Sequence, residues 1–377
     1  MPALRVLVVD PYYPAFLTAH HRGHPGLAGA PYETQLEALM AKRFGTSDAY
    51  SHNLERLGHT AAEVVPNCVQ LQTAWAAEHG RARLPRWAAA LARGPGAATF
   101  QRITLQSVLR AQIESFDPDV VYFQNLSFPT DALLARLRAD RRLVVGQIAS
   151  PAPPPERLRR FNLLITSFPH FVDRFRALGV DAHYLPLAFD ERVAELARPD
   201  GERDYPVVFV GGIDPRVHAA GTALLERVTD AADLRVWGYG VDALTPDSPL
   251  RSRFEGEAWG VDMYAVLARA QIVVNRHIDV AEGFANNMRL FEATGCGAML
   301  ITEAAPNLSD LFEPSREVAS YSDPDELVEM VRHYSRERDE RVAIAKAGHE
   351  RTLRDHTYGR RIEQLAEVLE ARLSRRA

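Results

Sequence analysis

Short apolar runs alternate with longer stretches in which apolar residues recur at helical spacing, almost from one end of the chain to the other. That rhythm predicts strands and helices in turn, and therefore an α/β protein built on parallel sheets. Leu4–Asp10 (LRVLVVD) is apolar without alternation, as a strand buried on both faces must be. It stops at Pro11-Tyr12-Tyr13-Pro14, and a loop rich in His, Gly and Pro is expected to follow. Helices are predicted over Tyr32–Phe44 and Asp48–Leu57, the second closed by Gly58, with a strand near Ala61–Val65. Gln70–Phe116 is helical in pattern, interrupted at Pro85 and at Gly94-Pro95-Gly96. Strands at Asp119–Gln124, Leu143–Ile148 and Leu163–Ser167, with an apolar one just before Pro186, bring the first half to about six.

Proline and charge locate the joins. Ser150–Glu156 (SPAPPPE) is expected to be a stiff surface connection, neither helix nor central strand, because proline lacks the amide hydrogen and restricts its neighbour. The better domain boundary lies where apolar sequence gives way to RPDGERDYP before residue 206. A second sheet is then expected to begin at Val207–Val210 and continue with Leu234–Trp237, Ile272–Val274, Ala298–Ile301 and Val318–Tyr321. Tyr358–Leu373 reads as a last helix with no strand after it. The expected division is an amino-terminal domain over 1–186, a linker over 187–206, a second domain over 207–357, and a helix over 358–377 that returns to the first domain.

Length and charge narrow the partners. The 377 residues carry 44 Lys plus Arg against 49 Asp plus Glu, a formal charge of −5, leaving no basic excess for a nucleic-acid backbone. Cys68 and Cys296 stand far apart, so neither a disulfide framework nor a structural zinc site is indicated and a reducing cytoplasm is expected. No run approaches the ~20 apolar residues that span a bilayer.

Ligands of open parallel sheets bind beyond the carboxyl ends of the strands, so those loops are where chemistry is sought. After the first strand of the second sheet stand Gly211, Gly212 and then Arg216, able to offer amides, a helix N-terminus and a guanidinium to a phosphate. The spacing is neither a dinucleotide fingerprint nor a P-loop, and a plain turn is the alternative. Tyr239-Gly240 follows the next strand and can border a base, or simply turn the chain. The densest segment runs from Asn275-Arg276-His277 through Glu282 to Asn286-Asn287-Met288-Arg289 and Glu292. There Asn286 is the expected helix N-cap, and Arg289 and Glu292 share a face as candidates for a diphosphate and a ribose; the plainer alternative is an exposed ion pair. His20 and His21, in the expected loop after the first strand, are candidates for a general base. Asn125, Gln147 and Ser150 sit at strand ends of the first domain and suit acceptor hydroxyls, or merely cap turns.

The blocks NNMRLFEATGCGAMLITE at Asn286–Glu303, LSDLFEP at Leu308–Pro314, EVASY at Glu317–Tyr321, DEL at Asp325–Leu327 and AGHERTLRDHTYGRR at Ala347–Arg361 resemble the spore-maturation (CgeB-like) branch of the group 1 glycosyltransferases. Ala41–Gly58 carries a looser likeness. The resemblance implies a GT-B fold, two Rossmann-like domains facing across a cleft, with a nucleoside-diphosphate sugar held by the second and the acceptor by the first. It implies no cofactor and no metal, protein cations and helix N-termini meeting the diphosphate, and retention as the favoured outcome. Donor residues would be Gly211, Gly212, Arg216, Tyr239, Gly240, His277, Asn286, Asn287, Arg289 and Glu292. Glu292 matches the ribose-binding acid of the wider group; Glu282 corresponds to the sugar-side acid, with nine residues between it and Glu292 where the usual pattern has seven. Epimerisation or hydrolysis of the nucleotide sugar, or its binding without turnover, are the competing functions. A second copy of the chain is a possible partner.

Overall fold

A computed structural model of the chain describes residues 3–80, 97–196 and 203–375. It divides into two compact units, one formed by Met1–Leu185 with Ile362–Ala377, the other by Pro186–Arg361.

The first unit is built on six parallel strands, β1 (Arg5–Val9), β2 (Thr60–Val64), β3 (Val120–Phe123), β4 (Leu143–Ile148), β5 (Leu163–Thr166) and β6 (Ala182–Tyr184), in the order β2-β1-β3-β4-β5-β6. Every residue of β3 and β5 is buried, which accounts for the unbroken apolar runs. The segment expected to be a loop after β1 is instead a helix, Pro14–Gly23, carrying both His20 and His21. Proline is tolerated in a first helical turn, and Phe16, Leu17 and His20 form the buried face that stabilises it. The next helix stops at Met40, short of Phe44, and Ala49–Arg56 ends at Gly58 with φ +86°, its amide on Glu55 O and that of His59 on Leu54 O. Helices cover Val69–Glu78 and Ala97–Phe116; the interruptions expected at Pro85 and Gly94–Gly96 lie outside the described residues. The proline-rich connection ends sooner than expected, because Pro155 opens a short helix, Pro155–Leu158. The last helix, Tyr358–Ser374, buries Ile362, Leu365, Ala366 and Leu369, and from Ile362 onward it belongs to the first unit, where Arg372 pairs with Asp181.

The second unit repeats the architecture with β7 (Tyr205–Gly212), β8 (Leu234–Tyr239), β9 (Phe254–Gly256), β10 (Ala270–Val274), β11 (Met299–Glu303) and β12 (Ala319–Tyr321), all parallel, ordered β12-β11-β10-β7-β8-β9. β9 has no apolar run to announce it, being a three-residue edge strand. Residues 197–202 of the expected linker are outside the described set. No helix among the described residues is long and apolar enough to cross a membrane.

Candidate functional site

In the second sheet the chain winds outward from β7 through β8 to β9, then crosses to the other flank of β7 with β10. The crevice beyond the carboxyl ends of β7 and β10 is therefore the topological switch point, where such sheets bind ligands. Gly211 and Gly212 are the last residues of β7, not a loop after it, and pair in register with Gly238 and Tyr239 of β8. The two strand ends approach so closely that a Cβ on Gly238, at φ +141°, would stand 1.9 Å from Gly211 O, and one on Gly240, at φ +97°, 2.6 Å from Asp214 N. The His218 ring covers Gly212, its Nε2 lying 2.8 Å from where a Cβ would be.

Asp214 caps the helix Pro215–Thr229, its carboxylate accepting the Arg216 amide at 2.9 Å. The Arg216 guanidinium folds back onto the same carboxylate, with Nη2 at 2.6 Å, and these hydrogen bonds hold the Asp214 pKa down at about 2. Arg216 thus reaches the crevice already charge-neutralised. His218 departs from helical geometry at φ −126°, ψ 38°, so regular winding starts again only after it. Arg276, from the β10 loop, lies against that restart: its Cδ is 3.3 Å from the Cβ position of Gly221. Neighbouring His277 is buried, its amide donating to Glu303 Oε2 at 3.2 Å and its Nε2 within 3.2 Å of Glu303 O. Burial lowers its pKa against the attraction of Glu303.

The helix expected at Asn287–Thr294 spans Met288–Gly295, and its N-cap is Asn287 rather than Asn286. Asn287 Oδ1 accepts the Arg289 amide at 2.6 Å while its Nδ2 donates to Arg276 O at 3.0 Å, tying helix to loop. Asn286 is buried just before it, and Glu282 sits exposed with φ +50°. Arg289 and Glu292 meet at 2.7 Å, but not as an exposed pair: their side chains are 14% and 5% accessible. The other Glu292 oxygen receives the Tyr264 hydroxyl at 3.3 Å. Tyr239, 44% exposed, lies parallel to Trp259 within 8°, ring centroids 6.1 Å apart.

In the first sheet the same logic selects β1 and β3, whose loops begin with Asp10 and Gln124. Thr46 Oγ1 donates to Asp10 Oδ2 at 3.4 Å and accepts from Gln124 Nε2 at 3.3 Å. Burial pushes the Asp10 carboxyl up to about 7, partly offset by Thr46. Asn67 clamps the loop after β1, accepting the Tyr12 amide at 2.9 Å and donating to its carbonyl at 2.7 Å. His20 stacks beside Phe16 with both ring nitrogens buried and unpartnered, and burial brings its pKa down to about 4. His21 Nε2 faces Cys68 Sγ at 3.5 Å. Gln147 Oε1 accepts both Tyr50 and Tyr122 hydroxyls, at 2.8 and 2.6 Å, and Asn125 Oδ1 accepts the Ser127 amide at 2.8 Å as a turn cap; Ser150 is exposed.

The structure therefore gathers Gly211, Gly212, Arg216, Tyr239, Gly240, His277 and Asn287 about the ends of β7, β8 and β10. Arg276 stood in the densest segment without a role, and His218 and Asp10 were not selected from sequence, although the strand-end rule names all three loops once the sheet order is known.

Residues 218–367 match the family model described as glycosyl transferase-like. No curated protein matches the chain in sequence. Among solved structures, sucrose-phosphate synthase from Thermosynechococcus elongatus is similar at TM-score 0.59 and 12% identity, covering 98% of this chain and 99% of that one. A glycosyltransferase from Rickettsia africae gives 0.58 and 10%, over 99% of each chain. Anabaena HepE, in complex with UDP and glucose, gives 0.56 and 14%, over 97% and 99%. The fold is that of the GT-B glycosyltransferases, and its residues 218–367 carry the glycosyl transferase-like match.

Proposed function

We propose that the chain transfers a sugar from a nucleoside-diphosphate sugar to an acceptor hydroxyl or amine, without a resident metal. The observation that carries this is the β7–β10 crevice, where Gly212 meets the restarted helix at Ala219–Gly221 and Arg276, the last two within the matched residues. Negative charge develops on the diphosphate as the glycosidic bond breaks, and amides with a guanidinium stabilise it there. Arg276 is assigned to the diphosphate because it lies against the restarted helix, alongside the first candidates Arg216 and Arg289, which pair with Asp214 and Glu292. Tyr239 and Trp259 border the base, and His277 and Asn287 face the sugar phosphates. Glu292 is assigned to anchoring its helix, with contact to the ribose as a secondary role. The complexes of HepE with UDP and with UDP-glucose favour UDP as the first nucleotide to test.

In a retaining course the leaving phosphate takes the acceptor proton and no further base is needed. One observation favours inversion instead. Asp10, at the switch point of the first sheet and poised near neutrality, is matched to proton abstraction at physiological pH, better than His20 at about 4. Glu282 is exposed and serves neither course as placed.

The test is turnover of UDP-glucose with and without a panel of acceptors, in EDTA, with the anomer of the first product read by NMR. Transfer in EDTA that needs acceptor supports the main proposal; donor consumption without acceptor indicates a hydrolase or epimerase. An inverted anomer and loss of transfer in Asp10→Asn, with UDP binding kept, supports the base. A retained anomer with an active Asp10→Asn excludes it.

A further inference from the structure

A cleft of about 640 Å³ lies along β2, the edge strand of the first sheet, and neither Asp10 nor Gln124 lines it. That volume is ordinary for a small-molecule site, roughly 300–1,000 Å³. Two small residues, Ala61 and Ala62, leave the room on the strand side.

Gln112 lines the cleft from the helix Ala97–Phe116 and is only 4% exposed, yet neither its Nε2 nor its Oε1 has a partner. A buried carboxamide left unpaired costs about 1–3 kcal/mol, so a fold that keeps one lining a cleft leaves a donor and an acceptor open side by side. Arg43 lines the same cleft at φ +52°, and its Nε is likewise buried without a partner while Nη1 pairs with Asp48. Non-glycine residues adopt that backbone region at a cost, which here places the guanidinium against Asp48.

The cleft is lined by two cations, Arg5 and Arg43, and four carboxyl groups, of which the inner ones are paired or neutral. Arg43 and Asp48 form an ion pair. Glu63 accepts the Ser51 amide at 3.0 Å, and burial raises its pKa well above the ordinary value, favouring the neutral acid. Exposed Arg5, Glu33 and Glu37 are the remaining charged groups of the lining. An anion would meet these carboxylates and a cation would find no unpaired buried one, whereas a neutral hydroxyl can both give to and take from the Gln112 amide. Tyr32, Trp75 and Phe116 add aromatic surface of the kind that packs on the C–H face of a sugar ring.

We propose that this cleft binds an uncharged, hydroxyl-rich ligand of the saccharide class, with Gln112 as its central hydrogen-bonding group. The inference rests on the cleft alone and stands whether or not the transfer reaction proposed above is correct.

Saturation-transfer NMR on the full chain with glucose, glucosamine and glucuronate tests it, because the three share a ring and differ in charge. Glucose should bind and the two charged sugars should bind more weakly. Gln112→Leu should weaken glucose at least about tenfold and, by removing the unpaired amide, raise the melting temperature of the sugar-free protein. Ala62→Leu, which fills the cleft without touching Gln112, should also abolish the signal. The proposal is overturned by no binding of glucose, by equal or tighter binding of a charged sugar, by glucose binding that survives both variants, or by a lowered melting temperature in Gln112→Leu.

Discussion

Two carboxylates, each buried by a different device, make opposite demands on the fold. Asp10 has a folded pKa of about 7 against an ordinary 3.8, so the folded state holds its proton more tightly than the unfolded one. Stability contributed at this site is full below the lower value, falls as pH rises between the two, and is lost above the upper one. The penalty is on the order of 4 kcal/mol at most, reduced by whatever edge of the carboxyl water reaches. Asp10→Asn should therefore match the parent at about pH 4 and exceed it in stability at about pH 8, as urea unfolding of the first unit would record. A variant equally stable at both, relative to the parent, would place the carboxyl in solvent. Glu292 is the reverse case, a carboxylate satisfied by Arg289 and Tyr264 inside the second unit. Glu292→Ala leaves a buried guanidinium unpaired and should cost about 3–5 kcal/mol, whereas Arg289→Met with Glu292→Gln should recover much of that loss. A double variant as unstable as the single one would remove the ion pair as the cause.

At the scale of elements, what the amino-acid pattern conveys depends on how a segment is buried. Strands covered on both faces, such as β3 and β5, show as apolar runs and were legible. β9 was not, because three residues at a sheet edge, one of them the exposed Glu255, make no pattern. The helix Pro14–Gly23 was mistaken for a loop because its proline and histidines signal irregular backbone, while its apolar face amounts to Phe16 and Leu17 with a histidine. Asn286 and Asn287 are equivalent as caps in sequence; the bond from Asn287 to Arg276 O, made by another loop, decides between them. The glycines at the β7 and β8 ends were read as amides open to a ligand or as plain turns, and the structure adds close approach of the two strand ends. Gly238→Ala would set a methyl group 1.9 Å from Gly211 O at φ +141°, so strand β8 must move away from β7. The expected cost is about 3 kcal/mol or more in stability, with UDP affinity falling beyond that of a surface control such as Ala343→Ser. Unchanged stability and affinity would show that the two strand ends separate freely.

For the whole molecule, the chain order does not coincide with the units: Ile362–Ala377 completes the first unit after the entire second unit has been traversed. Composition and periodicity suggested two bodies and a returning helix, but could not reveal Gln112, whose place in a helix of mixed polarity looks solvent-facing until its neighbours are packed around it. Two cores that each hold their own sheet should melt as separate transitions, and a ligand that binds one folded core stabilises that core by RT ln(1 + [L]/Kd), about 2.7 kcal/mol at a hundredfold excess over Kd. UDP should thus shift the transition of the unit that carries β7 and β10, and glucose, through the β2 cleft, that of the unit that carries Gln112. Arg276→Ala should abolish the first shift and leave the second, while Gln112→Leu should do the reverse. Calorimetry of the parent and the two variants with each ligand reads both sites in one experiment. A shift of the β1–β6 unit by UDP that survives in Gln112→Leu would place nucleotide binding outside the β7–β10 crevice, and one transition insensitive to both ligands would remove both assignments.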